Sequence, residues 1–252
     1  TFTTVLQRTS RLKQSIADSS FDAWIKYYRQ DENAPNSVVS YYQKGSLVGL
    51  ALDLTLRVET KGRASLDDVM RALWKRARDG GADYTGVEED EFVEVAEQVS
   101  GLALERRLRE WTEGTRDPDF AALLAPLGIQ FAARPAVDAP HFALLGAKTA
   151  PSGTDCRLVH VFDGSPAQRA GLSANDVLVA LGGLRVTPSN LDSLLTRYAA
   201  GDVVECLAFR RDELMRFEVK LATRPPLKYT LTADQKPPKA ALRLKAAWLG
   251  QR

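Results

Sequence analysis

The stretch Ser40-Tyr41-Tyr42-Gln43-Lys44-Gly45 holds the residue types of this chain best suited to chemistry. A phenol is neutral at pH 7, so it can donate a hydrogen bond without the desolvation cost of a permanent charge. Placed where an apolar helix begins, the same tyrosine pair could instead fill a core. Metal chemistry has less to work with. The sequence contains two histidines, His141 and His160, and no H-E-x-x-H. Neither has a partner histidine at ligand spacing, so both read as structural or surface residues. Two cysteines, Cys156 and Cys206, are too few for a disulfide framework or a structural zinc site.

The elements that would position Tyr42 follow from periodicity and caps. Residues 2–14 carry Phe2, Val5, Leu6 and Leu12 on roughly one face, and Ser20 is read as the cap of a short helix to residue 28. The segment 31–37 breaks it with Pro35 and Asn36. Ser40 then opens a long helix to residue 59, with Leu47, Leu50, Ala51, Leu54 and Val58 at helical spacing. Ser65 with Asp67 and Asp68 starts another, running to about residue 78 with Val69, Leu73 and Trp74 inward, and Gly80-Gly81 ends it. Shorter helices are expected over 88–99, 102–111 and 118–127. The first half is therefore an all-α bundle.

The character changes at Gly128. Runs beginning at His141, Cys156, Asp176, Val203 and Met215 are strand-like, and two helices interrupt them. The expected fold class is α+β in two domains: residues 1–127 helical, 128–225 a compact strand-rich domain, and 226–252 a tail. That tail is basic, with six cations against Asp234 alone. With 44% apolar and 26% charged residues the chain suits a packed globular protein. A formal charge of +2 gives no global argument for nucleic acid or an anionic membrane surface. No apolar run reaches the ~18 residues of a membrane span, and compartment stays open. Residue 1 is not methionine, which suggests a chain beginning within something larger.

Two resemblances give this layout a direction. The stretch from Val161 to Val186 has Gly164-Ser165-Pro166 opening a one-turn helix, Gly171 ending it, and Asn175-Asp176 leading into a strand. With the preceding Phe142–Thr149 run it resembles a PDZ domain in the circularly permuted arrangement of bacterial proteases. Asn175 stands where glycine is usual, and asparagine also tolerates positive φ. The resemblance implies a groove for peptide or protein C-termini. Its carboxylate loop would be Leu144, Leu145, Gly146 and Ala147, with Lys148 and Thr149 on the pairing strand. The other wall would come from Leu191, Leu194, Leu195 and Tyr198, some of which must face the core.

The first half, with the Tyr42-Gln43-Lys44-Gly45 helix and the Leu66-Asp67-Asp68-Val69-Met70-Arg71 helix most specific, is similar to the glycyl-aminopeptidase family. These are thermolysin-like zinc metallopeptidases that carry a C-terminal PDZ domain. The resemblance implies that Tyr42 donates its hydroxyl to the oxyanion of the tetrahedral intermediate, with Lys44 and Gly45 completing the motif. Family zinc ligands and general base lie on H-E-x-x-H and a later glutamate. Trp111-Thr112-Glu113-Gly114 superficially resembles the latter, but it follows Tyr42 instead of preceding it, so Glu113 reads as a helix-end residue. The expectation is a C-terminal portion, without its own cofactor and inactive alone. Zinc, the upstream catalytic half and a β domain would belong to the parent polypeptide. The alternative is a non-catalytic PDZ protein that binds C-terminal peptides or acts as a scaffold.

Overall fold

The computed structural model describes residues 1–136, 144–222 and 227–250; His141 and the start of the strand expected there lie outside them. Helices fill the first half and antiparallel strands the second. The helical domain is organised around α4 (Tyr41–Glu59), whose first turn is capped by Ser40 Oγ accepting from the Gln43 amide at 3.2 Å. Leu47, Val48, Ala51, Leu52, Leu54 and Leu56 of α4 are all buried, more than one face of a helix can present. They are covered from several sides, by α1 (Phe2–Leu6), α2 (Ile16–Phe21), α5 (Leu66–Gly80), α7 (Glu105–Thr112) and α8 (Phe120–Leu124).

The start of α5 is fixed by a capping box. Asp68 accepts from the Ser65 amide at 2.9 Å and from its hydroxyl at 2.6 Å. These bonds, led by the hydroxyl, hold the Asp68 carboxyl below the usual range. Gly81, at φ +56°, ends the helix. Three sequence expectations need correction here. Trp74 does not face inward but is 70% exposed, because the buried stripe of α5 runs through Val69 and Leu73 and residue 74 lies a further 100° round. The helix after residue 14 is capped by Ser15, not Ser20: Ser15 Oγ accepts from the Asp18 amide at 2.9 Å. A π-helical turn over Ala23–Tyr27 carries the chain onward. The first helix is also shorter than expected, since Arg8 is extended and a 3-10 turn, Thr9–Leu12, follows.

The second domain contains a sheet of strand order β2-β3-β4-β6-β7, with β5 (Leu184–Arg185) beside β4. Its strands are β2 (Ala147–Ser152), β3 (Asp155–Val161), β4 (Val177–Leu181), β6 (Val203–Arg210) and β7 (Glu213–Lys220). The helices α9 (Pro166–Ala170) and α10 (Leu191–Leu195) close its core around Leu158, Leu178, Leu181, Val204 and Val219. Asn175 adopts φ +73°, as its place before β4 requires. Cys156 and Cys206 are buried and free, and burial pushes the Cys206 thiol up to about 12.

The residues grouped as a basic tail carry regular structure. β8 (Leu227–Ala233) pairs antiparallel with β1 (Ile129–Pro135), and α11 (Lys239–Trp248) returns to the helical domain. Leu244 and Trp248 pack on the cluster that also holds Leu124, Leu127 and Ile129. The ends of the sheet-domain segment are thereby tied to the bundle. Gly128 makes the turn possible: at φ +68° a Cβ there would sit 2.8 Å from Pro237 Cβ.

Polar side chains fix the sheet domain to the bundle. Buried Asn36 donates to the Val161 carbonyl at 2.8 Å and accepts from the Asp163 amide at 3.0 Å. Asp163 also takes Lys13 and the Thr9 hydroxyl, and His160 Nδ1 meets the Glu32 carbonyl at 3.0 Å. These groups lose partners if the domains separate, which favours one arrangement over many.

Candidate functional site

Tyr42 occupies the second position of α4 and is 59% exposed, so it does not fill the core. Three other phenols surround it. The Tyr28 hydroxyl lies 2.9 Å from that of Tyr41 and 3.0 Å from that of Tyr42. The Tyr41 and Tyr42 rings are 4.2 Å apart between centroids, and Tyr27 stands 6.1 Å from Tyr42. Hydrogen bonds from Tyr28, and then from Tyr41, favour the charged form of Tyr42 and pull its pKa below the ordinary value. The same sharing pushes Tyr41 upward, with the Tyr28 bond as its largest cause. The cluster thus favours the charged form at Tyr42, which like Tyr28 is open to solvent.

Lys44 and Gly45 play different parts. Lys44 is only 1% exposed and donates to the Arg11 carbonyl at 3.0 Å. Arg11 meets Asp117 at 3.0 Å. Burial lowers Lys44 and raises Asp117, each opposed by the attraction of the other. This partly satisfied charge cluster ties the first turn of α4 to two loops and so holds Tyr42 in place. Gly45 has no such duty: among the described residues, a Cβ built there, or at Gly49, meets nothing within 4 Å. Mid-helix glycine costs roughly 1 kcal/mol against alanine. Tyr42, Gly45 and Gly49 are spaced i, i+3 and i+7, so they share one face of α4. Beside Tyr28 stands Trp24, 80% exposed, with Phe21 and Ile25 on the same short segment also open to solvent.

Leu145, Ala147, Leu191, Leu194 and Leu195 are all buried in the sheet-domain core, with Leu144 and Tyr198 half-buried against it. The α10 leucines hold that helix on the sheet and do not form an exposed wall. Accessible in this region are Lys148 and the outer edge of β2, which among the described residues pairs only with β3. Gly146 adopts φ +71°, and a Cβ there would lie 2.4 Å from Ser165 Cβ. Gly146→Ala should therefore cost about 1–3 kcal/mol from backbone strain and overpacking, seen as a lower denaturant midpoint with unchanged slope.

A cleft of about 910 Å³ runs between the domains and joins the two regions. Tyr27, Ser40 and Gln43 line it from the helical side, and Gly146, Lys148 and His160 from the sheet side. Sequence reasoning passed over Tyr27 and Tyr28, although a second Tyr-Tyr pair just upstream was visible as a signal. Arg8, Asn36 and Asp163 left no such trace, because their roles exist only across the domain boundary. Glu113 caps the end of α7 and pairs with Arg109. Among the described residues no three His, Cys, Asp or Glu side chains come together as a metal site. No described helix is long and apolar enough to cross a membrane.

Residues 1–48, a span that includes Tyr42, Lys44 and Gly45, match the M61 glycyl aminopeptidase family. The chain is similar to a solved aminopeptidase N family protein from Idiomarina loihiensis, at 31% identity and a TM-score of 0.82. The likeness covers 98% of this chain and 42% of that one. The chain thus spans about two fifths of the length of that relative. A weaker likeness, at 17% identity and a TM-score of 0.31, is to an HtrA-type protease with a decapeptide, over 32% of this chain and 29% of that one. Another, at 16% and 0.25, is to the PDZ domain of EpsC from Vibrio cholerae, over 31% and 95%. No curated protein matches the chain.

Proposed function

We propose that this chain is the tyrosine-bearing C-terminal part of a glycyl-aminopeptidase-like zinc metallopeptidase. Tyr42 is its oxyanion donor, and the sheet domain is a PDZ-like module that recognises peptide. The whole-chain likeness to an aminopeptidase, at a TM-score of 0.82, carries this reading. The exposed face of α4 supports it. A phenol acidified by its neighbours stands there beside two glycines that nothing among the described residues requires, as expected where a substrate or a further part of the enzyme approaches.

Amide hydrolysis builds negative charge on the carbonyl oxygen, and a positioned neutral donor stabilises that charge where water is excluded. The described residues do not fit a zinc ion, so no step through a metal is derived from them. In this reading the ligands and the general base come from polypeptide outside these residues, and the chain alone is inactive. Native protein captured from its source cells tests this. The expectation is an intact mass well above 27.7 kDa, bound zinc, and release of N-terminal glycine from peptides. Zinc-free native protein of this chain's own mass would remove the reading and leave the second one, a non-catalytic peptide binder. The outer edge of β2, unpaired among the described residues, is what favours that alternative, because a peptide can add there as a further strand.

A further inference from the structure

The cleft between the domains has a chemistry of its own. Arg8, where the chain leaves α1, and Lys148, on β2, both line it and both are exposed. Neither side chain has an ion pair or hydrogen bond among the described residues, although most cations of the helical domain do. The acid in the wall, Asp163, is already engaged by Lys13, Thr9 and Gln168. Its carboxyl is held below the usual range, by Lys13 first. The cleft therefore presents two positive charges without a partner among the described residues, one from each domain.

We infer that this cleft binds the C-terminal carboxylate of a short peptide, with Arg8 and Lys148 as its anchors. The inference rests on the aminopeptidase reading for the orientation of that peptide. Tyr27 and Gln43 line the cleft and stand beside Tyr42, so a peptide with its N-terminal end at Tyr42 runs naturally into it. Val38 and Phe162 add apolar surface to its lining. The volume lies within the ~300–1,000 Å³ typical of small-ligand sites, which suits a few residues and not a folded chain. Selectivity for short peptides with a free carboxylate would follow from the wall itself. The anchor differs from a carboxylate loop opposite α10, because the leucines of α10 are buried and take no part in it.

The test is direct binding of Gly-Gly-Leu and its C-terminal amide to this chain, followed by calorimetry or amide chemical shifts. The free acid should bind about tenfold more tightly, the scale of one charge-assisted contact. The double variant Arg8→Ala/Lys148→Ala should bind acid and amide alike, while Arg106→Ala, a cation on α7, should keep the preference. Equal binding of acid and amide by the unaltered chain overturns the inference. So does a preference that survives in the double variant, or no binding of either at millimolar peptide. Turnover does not enter these measurements. A retained acid preference beside an unimpaired Tyr42→Phe enzyme would sink the catalytic reading and leave the cleft standing.

Discussion

If the proposed reading holds, Tyr42→Phe in the longer zinc enzyme it implies should lower kcat by ~10²–10³, the cost of losing one oxyanion donor, with zinc content and KM little changed. The substitution removes one oxygen from an exposed ring, so the fold has no reason to change. The pH profile offers a second readout. Tyr42 must be protonated to donate, and its pKa is held below the ordinary phenol value by Tyr28 and Tyr41. An alkaline limb should therefore appear below pH 10. Tyr28→Phe takes away the largest of those hydrogen bonds, destabilises the phenolate and should move the limb upward. Near-normal turnover in Tyr42→Phe would remove the residue from the reaction. A limb unmoved by Tyr28→Phe would separate the tyrosine cluster from it.

The place of Tyr42 on its helix was legible before the structure because it rests on local rules. Ser40 before an apolar run is a cap, and the cap sets where Tyr42 sits on α4. The capping box at Ser65 and Asp68 was legible for the same reason. Residue 15 carries an equal signal, a serine three residues before Asp18 whose hydroxyl donates to that carboxylate at 2.7 Å, and the expectation of a cap at Ser20 leaves it out. Trp74 failed because apolar character was read without its angle on the helix. The pairing of β1 with β8 is of another kind. Their sequences lie nearly a hundred residues apart, each strand is largely exposed, and neither carries a pattern that names its partner. Asn36 is the clearest case at the site. It reads as turn chemistry beside Pro35, yet its amide holds the two walls of the cleft together. Local chemistry therefore placed Tyr42 on its helix, whereas the cleft beside it arises only when distant segments meet.

Asp176→Ala should cost about 3 kcal/mol, among the larger single-residue losses open to this chain, and the reason lies in what would be stranded. Asp176 is 1% exposed and takes a two-pronged grip from Arg210, Nε at 2.8 Å and Nη2 at 2.7 Å. It also accepts from the Ser173 amide at 2.8 Å, closing the turn that Asn175 makes at positive φ. The bonds to Asp176 raise Arg210 further above its already high pKa. Removing the carboxylate leaves a guanidinium that can still reach the Gly171 carbonyl and the face of Phe217, but not cancel its charge. Breaking such a pair typically costs ~3–5 kcal/mol, and the lower figure applies because Arg210 keeps about a third of its side chain in water. Replacing both partners with apolar residues of similar volume should cost less than either single change, since no charge is then left buried. Denaturant unfolding of the two single variants and the double variant decides it. A loss below about 1 kcal/mol in Asp176→Ala would mean that water replaces the carboxylate, and that the pair is held in place by the turn it closes instead of holding that turn.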